Sequence, residues 1–259
     1  MILYFSATGN TKYLADKLAK DLNDESINLL KRIKEKDYSP IKSDKPFIVC
    51  SPIYVCETPK FFNDYLKNVP LEGNNKIYFI FSSGGYAGIA SKICKRIAKK
   101  KKMQYMGRKE FRMPRNYVAS NMYPLLPENE VLDRLNVATK LVHETAIKIS
   151  NNEFLKDRHV WLFESIVTIP FVPIWSKLKH KTKKFYTTDS CIGCKKCANL
   201  CPVNNIEMVD GKPKWIKNCS HCMACISNCP KSAIEYRNIT EDKEKYIISK
   251  YIDKIDEKL

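Results

Sequence analysis

The chain has 259 residues, 44% of them hydrophobic, which suits one medium domain plus a small one and excludes a disordered protein. It carries 45 Lys and Arg against 28 Asp and Glu, a formal net charge of +17. The lysines are scattered along predicted helix faces without a nucleic-acid motif, so we expect no nucleic-acid partner. The sequence allows two interpretations of the positive charge: a solvated surface without a partner, or a surface that attracts acidic redox partners.

Two absences in the sequence bear on location. No run of about 18 apolar residues predicts a membrane-spanning helix. The apolar start, residues 1–5, is followed at once by polar residues, so it does not resemble a secretion signal. The sequence therefore predicts a cytoplasmic protein.

Residues 1–150 predict alternating strands and helices. Apolar runs predict strands at 2–5, 46–50, 76–81 and between 107 and 118. Helical spacing of apolar residues predicts helices over 14–22, from Thr58 as N-cap and Pro59 as first residue, over 89–102 and over 131–149. The inner face of the last helix is predicted to be Val131, Leu135, Ala138, Val142 and Ile149. The alternation predicts an α/β domain whose doubly wound, mostly parallel sheet has helices on both faces.

The loop after the first strand leads directly into a helix N-terminus, where backbone amides and the helix dipole favour an anion. Its hydroxyls and one amide add neutral donors. The candidate phosphate-binding residues are Ser6, Thr8, Gly9, Asn10 and Thr11. Asn10 occupies the position where a nucleotide-hydrolysing P-loop has lysine, and the dinucleotide motif GxGxxG is absent. The loop therefore predicts a site for a single phosphate, the alternative being an ordinary strand–helix turn.

The next two strong strands are also followed by candidate binding loops. The first contains Ser51, Pro52, Ile53 and Tyr54, and the second contains Ser82, Ser83, Gly84, Gly85 and Tyr86. Ligands of open parallel sheets bind beyond the carboxyl ends of the strands, so we expect the three loops to meet. The tyrosines are suited to stack on a planar ring, and the glycines let backbone amides approach its polar edge.

The S-x-T-G-N-T sequence and the two later loops resemble those of flavodoxins, and this resemblance covers most of residues 1–150. It implies non-covalently bound FMN and a flavodoxin-like fold. Cys56 departs from the pattern, because related loops often have glycine there. Glycine eases a peptide rearrangement that stabilises the one-electron-reduced flavin, so that property is not implied here. Cys50 and Cys94 are expected to be buried core thiols.

Residues 151–188 form a predicted connector rich in large apolar residues and ending in a basic run at 177–184. Its aromatic residues include Trp161, Phe163, Phe171 and Trp175. We expect this apolar and basic connector to pack between the two domains. The alternative is a peripheral anchor, since aromatic side chains beside a basic run suit an anionic membrane surface.

Eight of the 11 cysteines lie in two copies of C-x2-C-x2-C-x3-C-P. The first copy contains Cys191, Cys194, Cys197 and Cys201; the second contains Cys219, Cys222, Cys225 and Cys229. Without a secretion signal, such clustering indicates metal rather than disulfides. This run is the spacing of bacterial ferredoxins, in which the fourth cysteine ligates the other cluster. One [4Fe–4S] cluster is therefore assigned Cys191, Cys194, Cys197 and Cys229, and the other Cys219, Cys222, Cys225 and Cys201.

Zinc is the alternative metal, but zinc sites usually close one tetrahedron with two separated CxxC pairs. Residues 189–238 resemble the dicluster ferredoxins, which implies a small α+β domain carrying low-potential, one-electron clusters. His221 lies within the second motif and is expected to be a surface residue near a cluster.

Residues 239–259 predict an amphipathic helix packed on this module, with an inner face of Ile248, Ile252, Ile255 and Leu259.

The whole chain resembles the flavodoxin–ferredoxin fusion proteins of anaerobes. That resemblance implies an electron-transfer protein that exchanges electrons between two [4Fe–4S] clusters and FMN. One alternative is a flavin-dependent reductase that acts on an organic acceptor, such as a quinone, a nitro compound or a porphyrinogen. Another is a ferredoxin module joined to a flavin-free docking scaffold.

Overall fold

A five-stranded, fully parallel sheet organises the first domain. The computed structural model describes residues 1–122, 124–158 and 182–255, with single positions 166, 170 and 174. The sheet contains β1 (Ile2–Tyr4), β2 (Ser26–Asn28), β4 (Phe47–Pro52), β6 (Lys76–Ser83) and β7 (Gln104–Arg112), and β3 (Ile41–Ser43) pairs separately with β5 (Leu71–Gly73). The strand order is β2-β1-β4-β6-β7. Counted within the sheet this is 2-1-3-4-5, the order that flavodoxin itself exemplifies, so the predicted fold class is confirmed.

Helices cover both faces of this sheet. They are α1 (Asn10–Asp21), α2 (Leu30–Glu35), α3 (Lys60–Asn68), α4 (Ala90–Lys100) and α5 (Glu128–Ser150). Because side chains alternate along a strand, Cys50 and Tyr78 pack on one face with α1 and α5, whereas Val49 and Phe79 pack on the other with α3 and α4. The predicted inner face of α5 is buried throughout, and so are Cys50 and Cys94.

Two of the differences from the sequence expectation have a physical reason in the structure. Helix α3 begins at Lys60 with Pro59 as its N-cap, and the Thr58 hydroxyl donates instead to Asn63 Oδ1 at 2.7 Å. Strand β7 ends at Arg112, because the segment after it leaves the sheet towards the second domain. Two apolar side chains of that segment, Val118 and Ala119, are buried there.

The start of the predicted connector completes the first domain. Leu155 is buried and forms an isolated parallel bridge with Gly107 on the edge strand β7. Asp157 accepts from Arg108 at 2.9 Å, with the two side chains 11% and 7% exposed. A covered edge strand is protected from pairing with other chains. The aromatic residues expected to pack between the domains, Trp161, Phe163, Phe171 and Trp175, lie outside the described residues.

The second domain is a small α+β unit built as an internal repeat. Strand β8 (Phe185–Thr187) pairs antiparallel with β11 (Ile234–Tyr236), and β9 (Ile206–Val209) pairs antiparallel with β10 (Lys212–Trp215). Each cysteine motif contributes one short helix, Lys196–Asn199 or Ala224–Ser227. The first strand of this unit begins at Phe185, before residue 189, at which the sequence predicts that the domain starts.

The C-terminal segment corrects the predicted amphipathic helix. Between 240 and 255 the chain is irregular, with two 3₁₀ turns at Ile248–Lys250 and Ile252–Lys254. Its apolar residues pack into the α1–α5 side of the first domain rather than on the ferredoxin module. The reason is backbone pairing, because the Ile248 N–H donates to Thr8 O at 3.0 Å and is thus satisfied without a helix. We call residues 245–255 the C-terminal strap. In the described ranges no helix is long and apolar enough to cross a membrane.

Candidate flavin and iron–sulfur sites

The three predicted loops meet beyond the carboxyl ends of β1, β4 and β6. They surround a narrow cavity of about 20 Å³, which the segment after β7 also lines. Its predicted lining residues are Ser6, Thr8, Asn10, Thr11, Pro52, Ile53, Tyr54, Ser82, Ser83 and Gly84, to which the structure adds Ala7, Pro114 and Asn116. Four predicted residues do not line it. Gly85 and Tyr86 line a larger cavity instead. Ser51 turns its hydroxyl to Pro52 O at 3.0 Å, and Gly9 faces the C-terminal strap.

Buried hydroxyls at this cavity are held in place by one another and by neighbouring amides. Thr11 Oγ1 lies 2.7 Å from Ser82 Oγ, and Asn116 Nδ2 donates to Thr8 Oγ1 at 2.7 Å. A hydroxyl that accepts one hydrogen bond still has its own proton to donate. Together with the amides at the start of α1, these groups form a neutral donor set that fits a single phosphate.

The Asn10 side chain has a different contact pattern from the hydroxyls. Its Nδ2 donates to Pro114 O at 2.9 Å, and its Oδ1 accepts from the Tyr246 hydroxyl at 2.6 Å. The side chain is buried, so these bonds are shielded from water. Asn10 thus connects the phosphate loop to the segment after β7 and to the C-terminal strap.

A larger cavity of about 370 Å³ opens between the two domains and is suited to a planar ring. The first domain contributes Ile53, Tyr54, Val55, Cys56, Gly84, Gly85, Tyr86, Arg112, Arg115, Asn116 and Tyr117, and the second contributes Ser220, His221, Cys222 and Met223. This volume lies within the roughly 300–1,000 Å³ of typical ligand pockets. Arg158 covers the outer tyrosine, with its guanidinium carbon 4.6 Å from the Tyr86 ring centre.

Tyr54 provides a direct test of whether a flavin suits this cavity. Its hydroxyl oxygen is buried and, among the residues that the structure describes, has no hydrogen-bond partner. Burial, with the Cys222 thiol close by, holds the pKa of Tyr54 well above its usual value, so the phenol stays protonated. A buried donor without an acceptor is costly, and the polar edge of a bound ring would supply one.

The turn before the ring cavity is strained. Val55 and Cys56 have φ values of 49° and 66°, a left-handed conformation that non-glycine residues adopt at a cost of about 1–3 kcal/mol each. The carbonyl of Cys56 accepts from Ile89 N at 3.0 Å, and a Cβ at Gly88 would overlap it. A cysteine therefore occupies a left-handed backbone conformation that glycine adopts without this cost.

Each cross-paired set of four cysteines surrounds a cavity of about 20 Å³. One is lined by Cys191, Cys194, Cys197 and Cys229; the other by Cys201, Cys219, Cys222 and Cys225. Backbone amides donate to the sulfurs of Cys201, Cys219 and Cys229 at 3.2, 3.4 and 3.3 Å. Such bonds tune the potential of a cluster.

Burial makes the second cysteine set dependent on a cation. It raises the pKa of Cys219 to about 12 and that of Cys222 to about 11. Thiolates at these positions therefore need a positive partner, and the iron of a cluster is such a partner. The all-sulfur donor set fits iron–sulfur ligation.

His221 is buried, not a surface residue as the sequence suggested. It is 2% exposed and packs within an aromatic cluster, with ring centres 5.3 Å from Phe185 and 5.1 Å from Tyr236. Its Nδ1 lies 3.3 Å from the Tyr117 hydroxyl. The side chain therefore occupies part of the wall between the ring cavity and the second cysteine set.

Polar contacts join the second domain to the first. Asn228 Nδ2 donates to Ala7 O in the phosphate loop at 3.0 Å. The ammonium of Lys34 donates to Ala198 O at 2.7 Å and to Asn199 O at 2.9 Å, at the end of a short helix of the second domain. These bonds fix the cysteine motifs relative to the phosphate loop.

Comparison with known proteins identifies both domains. The family model described as "Flavodoxin" matches residues 2–115, and that described as "4Fe-4S dicluster domain" matches residues 190–234. The chain joins a flavodoxin domain to a 4Fe-4S dicluster domain. The flavodoxin domain is an FMN-binding domain, and the dicluster domain carries iron–sulfur clusters. An electron-transfer role follows from this combination.

Each of the two curated relatives described here is similar to less than a third of this chain. One component of the ion-translocating oxidoreductase complex of Methanosarcina acetivorans is 38% identical over 60 residues, 23% of each chain. An uncharacterised polyferredoxin-like protein of Methanocaldococcus jannaschii is 30% identical over 95 residues, 29% of this chain and 56% of its own. The chain thus spans about a quarter and about half of these two relatives.

Solved structures similar to the flavodoxin–ferredoxin chain include two flavodoxins. A flavodoxin from the domain Archaea is 17% identical, with 57% of this chain and 97% of that chain covered and a TM-score of 0.32. The two-electron reduced flavodoxin of Megasphaera elsdenii is 12% identical, with 57% and 99% covered and a TM-score of 0.34.

Several site residues were not found from the sequence. Asn116, Arg115 and Tyr117 follow β7 without a recognisable motif, although their position after a sheet strand is a usable signal. Asn228 lies directly before a cluster cysteine, and that neighbourhood gives no hint of its bond to the phosphate loop. Nothing in the sequence near Tyr246 indicates that it contacts Asn10.

The cysteine pairing can be tested by comparing single variants. Anaerobically prepared protein should contain about eight iron atoms per chain, as two cubanes require. If the sets are cross-paired, Cys201→Ser should leave the same residual EPR spectrum as Cys219→Ser, and Cys229→Ser the same as Cys191→Ser. Grouping of Cys201 with Cys191 would contradict the pairing. Cys94→Ala, which removes a buried core thiol, is the control and should keep the full iron content.

The phosphate site can be tested with two hydroxyl deletions. Thr8→Val combined with Thr11→Val removes two donors from a buried anion, each worth about 1.5–3 kcal/mol, so the Kd for FMN should rise at least about tenfold. Quenching of flavin fluorescence measures it. Thr145→Val, which removes an equally buried hydroxyl bonded to Leu141 O on α5, should leave the Kd unchanged. Unchanged affinity in the double variant, or FAD as the natural flavin, would place the phosphate elsewhere.

Proposed function

We propose that the protein transfers electrons between its two [4Fe–4S] clusters and FMN within one chain. In this proposal FMN occupies the phosphate loop and the 370 Å³ cavity, and the cluster next to it is ligated by Cys201, Cys219, Cys222 and Cys225. The observation that carries the proposal is that Cys222 and its neighbours line the cavity for the ring.

The clusters would supply single electrons, and FMN would hold one or two. The chain's own contribution is proximity and exclusion of water. Tyr54 and His221 occupy the wall between the two sites, and both are screened from solvent at their polar ends. Covalent linkage adds an effective concentration in the millimolar range, so no diffusion step separates the two domains.

The other cysteine set is suited to exchange with a separate protein. Cys194 is exposed, whereas Cys222 in the second set is buried. Three exposed lysines, Lys195, Lys196 and Lys231, line the same cavity as Cys194. A basic surface around an accessible cluster favours an acidic redox partner through electrostatic steering.

Free thiols and oxygen-sensitive clusters suit a cytoplasmic, anaerobic setting, which we include in the proposal.

Internal electron transfer should be independent of protein concentration. Rapid photoreduction, with cluster and flavin absorbance followed separately, measures the rate. Lys34→Ala removes two charge-assisted bonds between the domains and should slow transfer or add a concentration-dependent phase. Lys31→Ala, which changes an exposed lysine of the same helix, should behave as wild type.

Two outcomes would contradict this function. A wild-type rate that scales with concentration would mean that the domains do not exchange electrons within one chain. Rapid turnover of a quinone or nitro compound without any protein partner would favour a reductase instead.

Partner exchange should depend on the lysines beside Cys194. Lys195→Glu with Lys196→Glu should lower the second-order rate of reduction by an acidic ferredoxin about tenfold and flatten its salt dependence, because steering is lost. Lys99→Glu with Lys100→Glu makes the same charge change on exposed residues of α4 and should have little effect. Equal effects of the two pairs would indicate that net charge, not this surface, directs the partner.

A further inference from the structure

The phosphate loop is contacted by a segment that lies far from it in the chain. The Tyr246 hydroxyl donates to Asn10 Oδ1 at 2.6 Å, and the Ile248 N–H donates to Thr8 O at 3.0 Å. The Ile248 side chain packs so tightly on Gly9 that a Cβ there would overlap it. Three of the six loop residues are therefore held by the C-terminal strap.

These contacts are shielded and well defined. Tyr246 is 2% exposed and Ile248 is 5% exposed. The Tyr246 ring stacks on Tyr251, with centres 5.7 Å apart and planes 18° apart. Burial raises the pKa of Tyr246 far above its usual value, so the phenol remains a donor at any physiological pH.

The strap is anchored in the ferredoxin domain at its other end. The ammonium of Lys245 lies 2.9 Å from Glu235 Oε1, and both side chains are more than nine-tenths buried. Glu235 belongs to β11, and the hydroxyl of Thr240 also donates to its carboxylate. A buried ion pair of this kind loses much stability if one partner is removed. The residue that precedes Tyr246 is thus fixed to the domain that carries the cysteine motifs.

We propose that Tyr246 and Ile248 are positioning residues for the FMN phosphate: they hold Asn10 and Thr8 in the conformation that presents the loop's donors. Neither residue lines the narrow cavity itself, so they act through the loop. Because the strap is anchored to the ferredoxin domain, the affinity of the flavodoxin domain for FMN depends on whether the ferredoxin domain is folded.

The comparison of FMN with riboflavin tests this proposal, because riboflavin lacks the phosphate. Tyr246→Phe in the full-length, cluster-loaded protein leaves Asn10 Oδ1 without its donor, and the Kd for FMN should rise about tenfold, with the Kd for riboflavin unchanged. Flavin fluorescence quenching gives both constants, and the ³¹P NMR shift of bound FMN should move. Tyr251→Phe, a phenol removed from the same strap, is the matched control and should leave both constants at wild-type values.

A second variant keeps the test decisive. Ile248→Ala weakens the contact with Gly9 without removing a hydrogen bond, and it should also lower FMN affinity selectively. Equal losses for FMN and riboflavin would indicate general destabilisation, and no loss in either variant would show that the strap does not position the loop; both results overturn the proposal. If wild-type protein bound FMN no better than riboflavin, the phosphate site itself would be wrong, which separates that failure from failure of the strap.

Discussion

The short loop from Ser220 to Met223 is the contact on which the arrangement of the chain depends. It belongs to the second cysteine motif and at the same time closes the cavity beside Tyr54 and Cys56. A residue that serves both sites leaves little freedom for the two domains to move apart. Electron transfer slows steeply with distance. A wall shared by the two sites therefore favours transfer more than a flexible linker between separated domains would.

Directional polar bonds contribute to the docking of the two domains. Asn228 and Lys34 each use side-chain donors on backbone carbonyls of the opposite domain. Apolar contacts run in both directions. Val118 and Ala119 leave the first domain and enter the core of the second, and apolar residues of the C-terminal strap pack into the core of the first. Interfaces between domains are commonly more polar than domain cores. Because hydrogen bonds are directional, they specify one orientation, whereas apolar surfaces can pack in several.

Local patterns made the sheet, the loops and the cysteine sets predictable. A strand followed by a hydroxyl-rich turn, or cysteines at two-residue spacing, carries its meaning within about ten residues. The strap was predicted wrongly because Ile248, Ile252 and Ile255 have helical spacing, whereas a bond to Thr8 decides their backbone. The burial of His221 likewise depends on Phe185 and Tyr236. Such contacts join distant parts of the chain and leave no periodic signal.

The bond between Tyr246 and Asn10 spans 236 residues of sequence and so sets an order of assembly. Domains fold from the N-terminus as the ribosome extends the chain, at roughly 5–20 residues per second. The sheet and its helices are therefore synthesised well before the strap, and both cysteine motifs also leave the ribosome ahead of it. The contact between Tyr246 and the phosphate loop forms only after residue 246 has been synthesised. Tyr246 therefore reaches the phosphate loop only after both cysteine motifs have been synthesised.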